Sequence, residues 1–326
     1  MELFWNWIRQ LLCAYCGFWL FLSVLPEHSA RNYVRLFGSL ILLLLFLEPV
    51  LGSFGDEEAF GKLVGGFTFQ QEAADLTNTM EAAAELAERG HSVVLCEREQ
   101  ELGGAMRYAK YVPFKQKVDQ LMQVMIRRLE RSGAELRLGT EATQELAEEL
   151  QPDVIVAALG AKAKRPDVPG GERAIMAADA LRDIDSIGQT AAVIGGGLVG
   201  CEIALQLGMT GRSVQLISRK KEVCRDAAYL YREGLLMELE KVPVTILNEA
   251  DCVAVTENGA VIRTPDGSEL ELKADSVIWA GGYLPMDDEA EQFRALAYDF
   301  WKIGDCAQVR KIFNARREGY NAGSNI

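Results

Sequence analysis

Gly195-Gly196-Gly197-Leu198-Val199-Gly200 is the run in which residue type and spacing together specify a ligand. It has the form G-x-G-x-x-G. Gly195 permits a tight turn, Gly197 lets backbone come close to a diphosphate, and Gly200 lets a helix lie against a strand. The free N–H groups and positive dipole end of that helix then hold the phosphates. The elements this chemistry requires flank the glycines. Residues 191–194 form a short apolar run of strand type, residues 201–209 carry helix-period apolar side chains, Gly211 stops the helix, and residues 214–217 read as a second strand. Strand, turn, helix and strand in this order predict a βαβ dinucleotide unit in preference to an ordinary tight βα turn.

The residue ending the second strand bears on which dinucleotide is taken. An acid there accepts from the ribose 2′-hydroxyl of NADH, whereas this chain has Ser218 followed by Arg219-Lys220-Lys221. Guanidinium and ammonium groups match a 2′-phosphate, so the expected cofactor is NADPH, with NADH second. A solvated basic corner is the alternative reading of the same three residues.

The chain has 326 residues, 49% apolar and 25% charged, which is globular composition for about two domains. Its net charge of −13 argues against nucleic acid as a partner, because no basic face is available to hold phosphate backbone. Seven cysteines, at 13, 16, 96, 201, 224, 252 and 306, make no disulfide framework and point to a reducing compartment. Cys13 and Cys16 form a C-x-x-C pair in an apolar stretch remote from the glycine motif, where helix packing is the expected role. Two histidines and no Cys/His cluster leave no metal ligands, so no metal is expected.

Residues 1–66 differ from the rest. The stretches 5–25 and 34–51 are apolar and near spanning length, joined by a polar turn at 26–32, and they predict a two-helix transmembrane hairpin. A buried helical pair is the competing reading. Arg31 and Arg35 in the turn would place that turn in the cytoplasm, but a nicotinamide-binding part needs cytoplasmic nucleotide. The expected placement is therefore a multi-pass membrane protein with its C-terminal part in the cytoplasm.

From about Thr79 a second nucleotide fold begins. Residues 81–89 are an amphipathic helix ended by Gly90, and residues 92–96 are a strand leading to Glu97. With Gly90 set opposite Gly211, Glu97 falls opposite Ser218, where an acid holds a ribose hydroxyl. The first half of this unit is absent: Ala74, Leu76 and Thr79 stand opposite the three glycines, and residues 69–73 make a poor strand. Further on, Leu102-Gly103-Gly104, a helix over 114–132, a strand over 135–138 and a buried strand ending in Ala158-Leu159-Gly160 follow in order. Pro166 and Pro169-Gly170-Gly171 mark the crossover to the G-x-G-x-x-G domain. Beyond Lys221 the chain reads as short strands at 244–247, 252–256, 260–264 and 269–273, with a turn at Pro265-Asp266-Gly267. Residues 275–282 form a strand ending in Ala280-Gly281-Gly282, then come residues 300–303, Gly304-Asp305 and a helix from near Val309.

Two resemblances rest on these residues. The run Trp7-Ile8-Arg9-Gln10, the stretch Ser29-Ala30-Arg31-Asn32-Tyr33-Val34-Arg35-Leu36 and the ending Leu47-Glu48-Pro49-Val50-Leu51 resemble the membrane hairpin of stage III sporulation protein AF. Residues 80–326 resemble the C-terminal half of the 2,4-dienoyl-CoA reductase and NADH:flavin oxidoreductase family, relatives of old yellow enzyme. The carrying residues are Arg89-Gly90-His91, Glu97, Leu102-Gly103-Gly104, Ala158-Leu159-Gly160, Gly195 to Gly200, Ala280-Gly281-Gly282, Ile303-Gly304-Asp305-Cys306 and the stretch 311–323. The resemblance implies NAD(P)H on one fold and FAD on the other, with hydride passing from nicotinamide to the flavin. It implies that Glu97 holds the FAD ribose, that Gly103, Gly104, Ala158 and Gly160 line the flavin site, and that Asp305 after Gly304 accepts a ribityl hydroxyl. Residues 195–197, Gly200, Ser218, Arg219, Lys220 and Gly281 fall on the NAD(P)H side. A helix cap is the other reading of Asp305.

That family places an FMN-binding barrel and an iron–sulfur cysteine cluster ahead of this half, and the sequence shows neither. The expected architecture is α/β, with a transmembrane hairpin at 1–66 and two Rossmann-like domains of the pyridine nucleotide-disulfide reductase type. The FAD-binding domain, incomplete, takes 67–186 and 284–326, and the NAD(P)-binding domain takes 187–283. The expected function is an NAD(P)H-dependent flavin oxidoreductase module with an unidentified electron acceptor. A disulfide reductase is disfavoured because no cysteine pair lies near the flavin-side motifs. The competing class is a membrane sporulation component whose nucleotide folds sense or are vestigial.

Overall fold

In a computed structural model, residues 78–310 and 312–326 are described. The expected membrane hairpin and the strand-poor stretch at 69–73 lie outside them. Among the described residues, no helix is long and apolar enough to cross a membrane.

Helix α1, Asn78–Glu88, is rich in alanine, the best helix former. Gly90 stops it in the left-handed region (φ 97°), with the Gly90 and His91 N–H groups donating to Ala87 and Leu86 carbonyls at 3.0 and 3.1 Å. Strand β1, Val94–Glu97, follows, then a 3₁₀ segment over 104–111 and a further short turn over 113–115 that leads into α2, Gln116–Ser132. The apolar spacing of α2 places Val118, Met122, Met125 and Leu129 on one buried face. Met122, Met125 and Leu129 form a core with Met80, Ala83 and Ala84 of α1 and Leu95 of β1. Arg128, also on α2, pairs with Glu81, Glu85 and Glu88 along α1, which fixes the two helices side by side.

Strand β2, Glu135–Leu138, runs parallel to β1 in register Val94 to Glu135. Helix α3, Gln144–Leu150, is capped by Thr143, whose hydroxyl accepts from the Leu146 N–H at 3.2 Å. Strand β3, Val154–Ala157, and β4, Ala161–Ala163, close this part, and Gly171 to Arg173, β5 (Ile175–Met176) and α4 (Ala177–Arg182) cross to the next.

The central unit is β6, Thr190–Ile194, α5, Leu198–Met209, and β7, Ser213–Ser218. Helix α6, Tyr229–Glu240, leads to β8, Val244–Asn248, and a three-stranded antiparallel meander follows: β9, Asp251–Thr256, β10, Gly259–Arg263, and β11, Glu269–Lys273. Strand β12, Ser276–Trp279, returns the chain to the sheet. The order β5-β12-β6-β7-β8 is parallel throughout, and its three inner strands are largely buried, with Val193, Leu216 and Ile278 fully inside. Helix α5 lies in the same core through Cys201, Ile203, Ala204 and Leu207.

Strand β13, Tyr283–Pro285, pairs antiparallel with β4. Helix α7, Asp287–Glu291, β14, Asp299–Lys302, and α8, Ile312–Asn325, finish the chain. Strand β14 runs parallel to β3, and Ala322 of α8 packs with Ala82 of α1 over Ile303. The first nucleotide fold therefore consists of two separate parallel pairs, β1-β2 and β3-β14, joined through α1, whose side chains contribute to the cores on both sides. Among the described residues no strand joins the pairs.

Sequence patterning identified most long elements but not α6, Tyr229–Glu240, whose apolar residues Leu230, Leu235, Leu236, Met237 and Leu239 make no clean one-sided stripe. It also missed the 3₁₀ segment at 104–111, where no apolar period exists to see, and the β4-β13 pair, whose partners are 120 residues apart and short. The last helix begins at Ile312 and not near Val309, because the Arg310 N–H is taken by the Asp305 carboxylate at 3.2 Å in the preceding loop.

Candidate functional site

Strand β6 sits at the centre of the five-stranded sheet, with β7 and β8 on one side and β12 and β5 on the other. The chain reverses its order there, so the turn after β6 opens into the crevice where α/β sheets bind ligands. Gly195, Gly196 and Gly200 of that turn are each required by a neighbour. Gly195 holds φ 121°, and a Cβ on it would stand 2.2 Å from the Ala280 carbonyl oxygen. On Gly200 a Cβ would stand 1.8 Å from the Gly195 carbonyl, which is the helix-on-strand contact the sequence predicted. On Gly196 it would meet Ser218 Cβ at 2.5 Å. Gly197 has no backbone close enough to exclude a side chain. Its nearest neighbour is the Asp226 carboxylate, 3.2 Å from an added Cβ.

The cofactor-selecting end of β7 is arranged differently from its first reading. Ser218 is buried under Gly196, and its hydroxyl accepts from the Lys220 N–H at 3.2 Å. Arg219 and Lys220 are exposed, with Arg219 Nε 3.9 Å from Asp251, an ion pair loose enough for a phosphate to replace. The two basic side chains thus stand on the rim of the crevice while the serine supports its floor. Gly281 lies on the other wall, where a Cβ would come 2.3 Å from Trp279 Nε1. The indole N–H of Trp279 donates to the Lys164 carbonyl at 2.9 Å.

On the flavin side, Glu97 ends β1 as expected, and its carboxylate accepts from the Glu99 N–H at 2.9 Å. Gly103 and Gly104 follow in the left-handed region (φ 110° and 51°) and open the 104–111 segment. Gly160 also has positive φ, 75°, and nothing lies within 4 Å of the place of a Cβ on Gly104 or Gly160. Ala158 packs below, against the Ile303 and Ala322 core. Gly304 (φ 70°) presents its N–H to Glu318 at 2.8 Å, and Glu318 pairs with Arg310. Asp305 is half-buried; burial pushes its carboxyl up, and the Arg310 N–H and charge partly offset this. Tyr283 is pushed up as well, by burial first and then by Tyr108 and Asp305 nearby.

The residues present fit the two cofactors unequally. For the nicotinamide dinucleotide, the turn, helix start and basic rim are contiguous. For FAD, Glu97 ends β1, Gly104 and Gly160 have open space at their Cβ positions and Asp305 is half-buried, but no diphosphate turn accompanies them among the described residues.

Two groups escaped the sequence reading. Glu202, on the second turn of α5, is buried and accepts from Lys115 Nζ at 2.6 Å and from the Tyr231 hydroxyl at 2.7 Å, joining the 104–115 segment to the nucleotide sheet. A glutamate inside the apolar run Cys201 to Leu207 was the available signal, since a buried charge needs a partner. Cys201 and Cys224 also meet beside the glycine turn, and their mutual hydrogen bond, then burial, push the Cys201 thiol far up. That leaves it un-ionised and unreactive. The second missed group is Asp226, whose place could not be read because its loop has no periodic pattern.

Comparison with known proteins agrees with this geometry. Residues 78–302 match the family described as pyridine nucleotide-disulphide oxidoreductase. The chain is 29% identical to the NADH oxidase of Thermoanaerobacter brockii over 257 residues, covering 76% of this chain and 39% of that protein. It is 30% identical to the cinnamate reductase of Clostridium sporogenes over 250 residues, covering 76% and 37%. Among solved structures, a 2-naphthoyl-CoA reductase complex superposes with TM-score 0.69 and 28% identity, covering 76% of this chain and 38% of that one. The chain spans under two-fifths of the length of these curated relatives. The family model covers more than half of the sequence. The chain belongs to the pyridine nucleotide-disulphide oxidoreductase family, which are FAD- and NAD(P)H-dependent oxidoreductases.

Proposed function

We propose that this chain is an NAD(P)H-dependent flavin oxidoreductase module that takes hydride from NADPH and passes it through FAD to an acceptor of unassigned identity. The observation that carries the reading is the Gly195–Gly200 turn at the switch point of an intact five-stranded sheet, with Arg219 and Lys220 on its rim. The helix start supplies N–H groups for the diphosphate, and the two cations suit a 2′-phosphate. When bound, FAD supplies the hydride-accepting ring, so that step needs no protein acid or base. Glu97, Gly103, Gly104, Ala158, Gly160, Gly304 and Asp305 would line its site. Asp305 is suited to a hydroxyl because it is a half-buried carboxyl beside a glycine and can accept a hydrogen bond from that group. The two apolar stretches within residues 1–66 support tethering to a membrane, with the nucleotide folds on the cytoplasmic side where the dinucleotide is.

Ala74, Leu76 and Thr79 in place of the three glycines of a diphosphate turn favour a second reading, nucleotide sensing without turnover, in a membrane component of sporulation type. One spectrum divides the two. The chain purified with excess FAD should show a flavin band that NADPH bleaches under anaerobic conditions. A colourless protein that still binds NADPH would favour sensing, and one that binds neither would end both readings.

A further inference from the structure

The loop over 219–228, between β7 and α6, folds back onto the glycine turn. Its inner part is fixed. Val223 and Cys224 are buried, the Cys224 N–H donates to the Gly196 carbonyl at 2.8 Å, and Arg232 Nε donates to the Val223 carbonyl at 3.2 Å. Cys224 takes the left-handed conformation (φ 57°), which reverses the chain and aims the next residues back over the turn. Asp226 is the side chain delivered there. Both its carboxylate oxygens lie 3.0 Å from the Leu198 N–H, the first residue of α5, and one would be 3.2 Å from a Cβ on Gly197.

That N–H is one of the donors a dinucleotide diphosphate needs, and Gly197 is where its phosphates must come close. A carboxylate in this position satisfies the helix start and complements its dipole when no nucleotide is present. It cannot stay when a diphosphate arrives, because two anions would share one donor and repel at contact distance. No cation pairs with Asp226 among the described residues, and the residue is exposed, so its contact with the helix start can break without unpacking the core. The fixed Val223–Cys224 segment and the exposed Arg225-Asp226 tip together make a hinge with one movable end.

We propose that Asp226 is a built-in occupant of the diphosphate seat, displaced by the nucleotide, and that it lowers the affinity of this site for any ligand carrying a diphosphate. The proposal rests on the reading of the Gly195–Gly200 turn as the NAD(P)H site. It makes Asp226 a residue that tunes binding by competition. A residue that merely caps α5 would stabilise the fold and leave ligand affinity unchanged.

The test uses the full chain, the variants Asp226→Asn and Asp226→Ala, and titration calorimetry with NADPH and with adenosine 2′-monophosphate, which has the 2′-phosphate but no diphosphate. Removing the competing charge should tighten NADPH binding about three- to tenfold in both variants, with the gain shrinking as salt is raised. Affinity for adenosine 2′-monophosphate should stay within twofold. Two variants guard against misfolding of one, since Asn keeps an acceptor for the Leu198 N–H. Variants that bind NADPH no better than the unaltered chain would overturn the proposal while leaving the site itself intact. Equal gains for both ligands would overturn it too, because they would reflect overall charge. If neither the chain nor its variants bind NADPH at millimolar concentration, the nucleotide reading falls and the proposal with it.

Discussion

The two nucleotide folds of this chain share the order helix, glycine stop and strand, and among the described residues they end as different sheets. In the fold around β6 all five strands are hydrogen-bonded neighbours, and the glycine turn stands at their centre. In the fold around β1 the described strands form two parallel pairs, with α1, α2 and α8 packed between and beside them and no shared ladder among the described residues. The difference shows where each half keeps its stability. The first relies on a buried parallel sheet with helix α5 pressed against it. The second relies on helix packing, reinforced by Arg128 among the three glutamates of α1. Glycines are consequently not equivalent in the two places, although both sets suit close approach of a cofactor.

The sharpest way to break the comparison is to add one methyl group on each side. Gly200→Ala puts a Cβ at 1.8 Å from the Gly195 carbonyl, inside a core with no room to yield. Its expected cost is about 4 kcal/mol, with loss of NADPH binding, because the helix must move off the strand that carries the turn. Gly160→Ala meets nothing within 4 Å and carries only the strain of φ 75°, expected at about 1 kcal/mol. Urea midpoints of the two variants check this. Equal losses would show that the sheet around β6 is no more tightly packed than the open strand ends on the other side.

A smaller effect tests how the halves are joined. Lys115 and Glu202 form a nearly buried ion pair across the boundary, with side chains 16% and 6% exposed. Lys115→Met would leave the glutamate buried with the Tyr231 hydroxyl, at an expected cost of about 2–3 kcal/mol. Adding Glu202→Leu should recover most of that loss, because the uncompensated charge is gone. No recovery in the double variant would mean that the lysine acts through its packing on Tyr231, whose ring centre lies 5.7 Å from Nζ.

The sequence revealed the intact half more fully than the split one, for a physical reason. Residues 190–218 spell out strand, turn and helix in local periodicity and in glycines whose spacing is set by backbone geometry alone. Ser218 marks the limit of that legibility. Its position at the end of β7 was readable, but its burial under Gly196 depends on a contact between residues far apart in sequence. Glu97, Gly104 and Asp305 were picked out by their motifs, but how strands β1 and β14, which lead into their segments, pair with β2 and β3 depends on contacts the sequence does not display. Asp226 was invisible for the same reason in stronger form: nothing in Cys224-Arg225-Asp226 announces that a left-handed cysteine turns the loop back onto α5.

The finest distinction between the halves is electrostatic, and the expectation is that they do not differ. Each holds one exposed carboxylate far below its usual range. In the intact half, the Thr264 hydroxyl and then the Ser268 hydroxyl and N–H lower Asp266 to about 2 in the turn between β10 and β11. In the split half, Arg294 and then Lys302 lower Glu291 to about 2 at the end of α7. A carboxylate with a depressed folded value binds fewer protons than in the unfolded chain between the two values. Its contribution is therefore complete above about pH 4.5 and is lost as pH falls toward 2. Side-chain carboxyl NMR should give midpoints near 2 for both. Salt separates their causes: Glu291, held by two cations, should move back toward its usual value in about 1 M salt, whereas Asp266, held by hydroxyls and an amide, should stay. If both midpoints move together, the Asp266 turn opens in solution, and the intact half is then tight in its sheet but not in its meander.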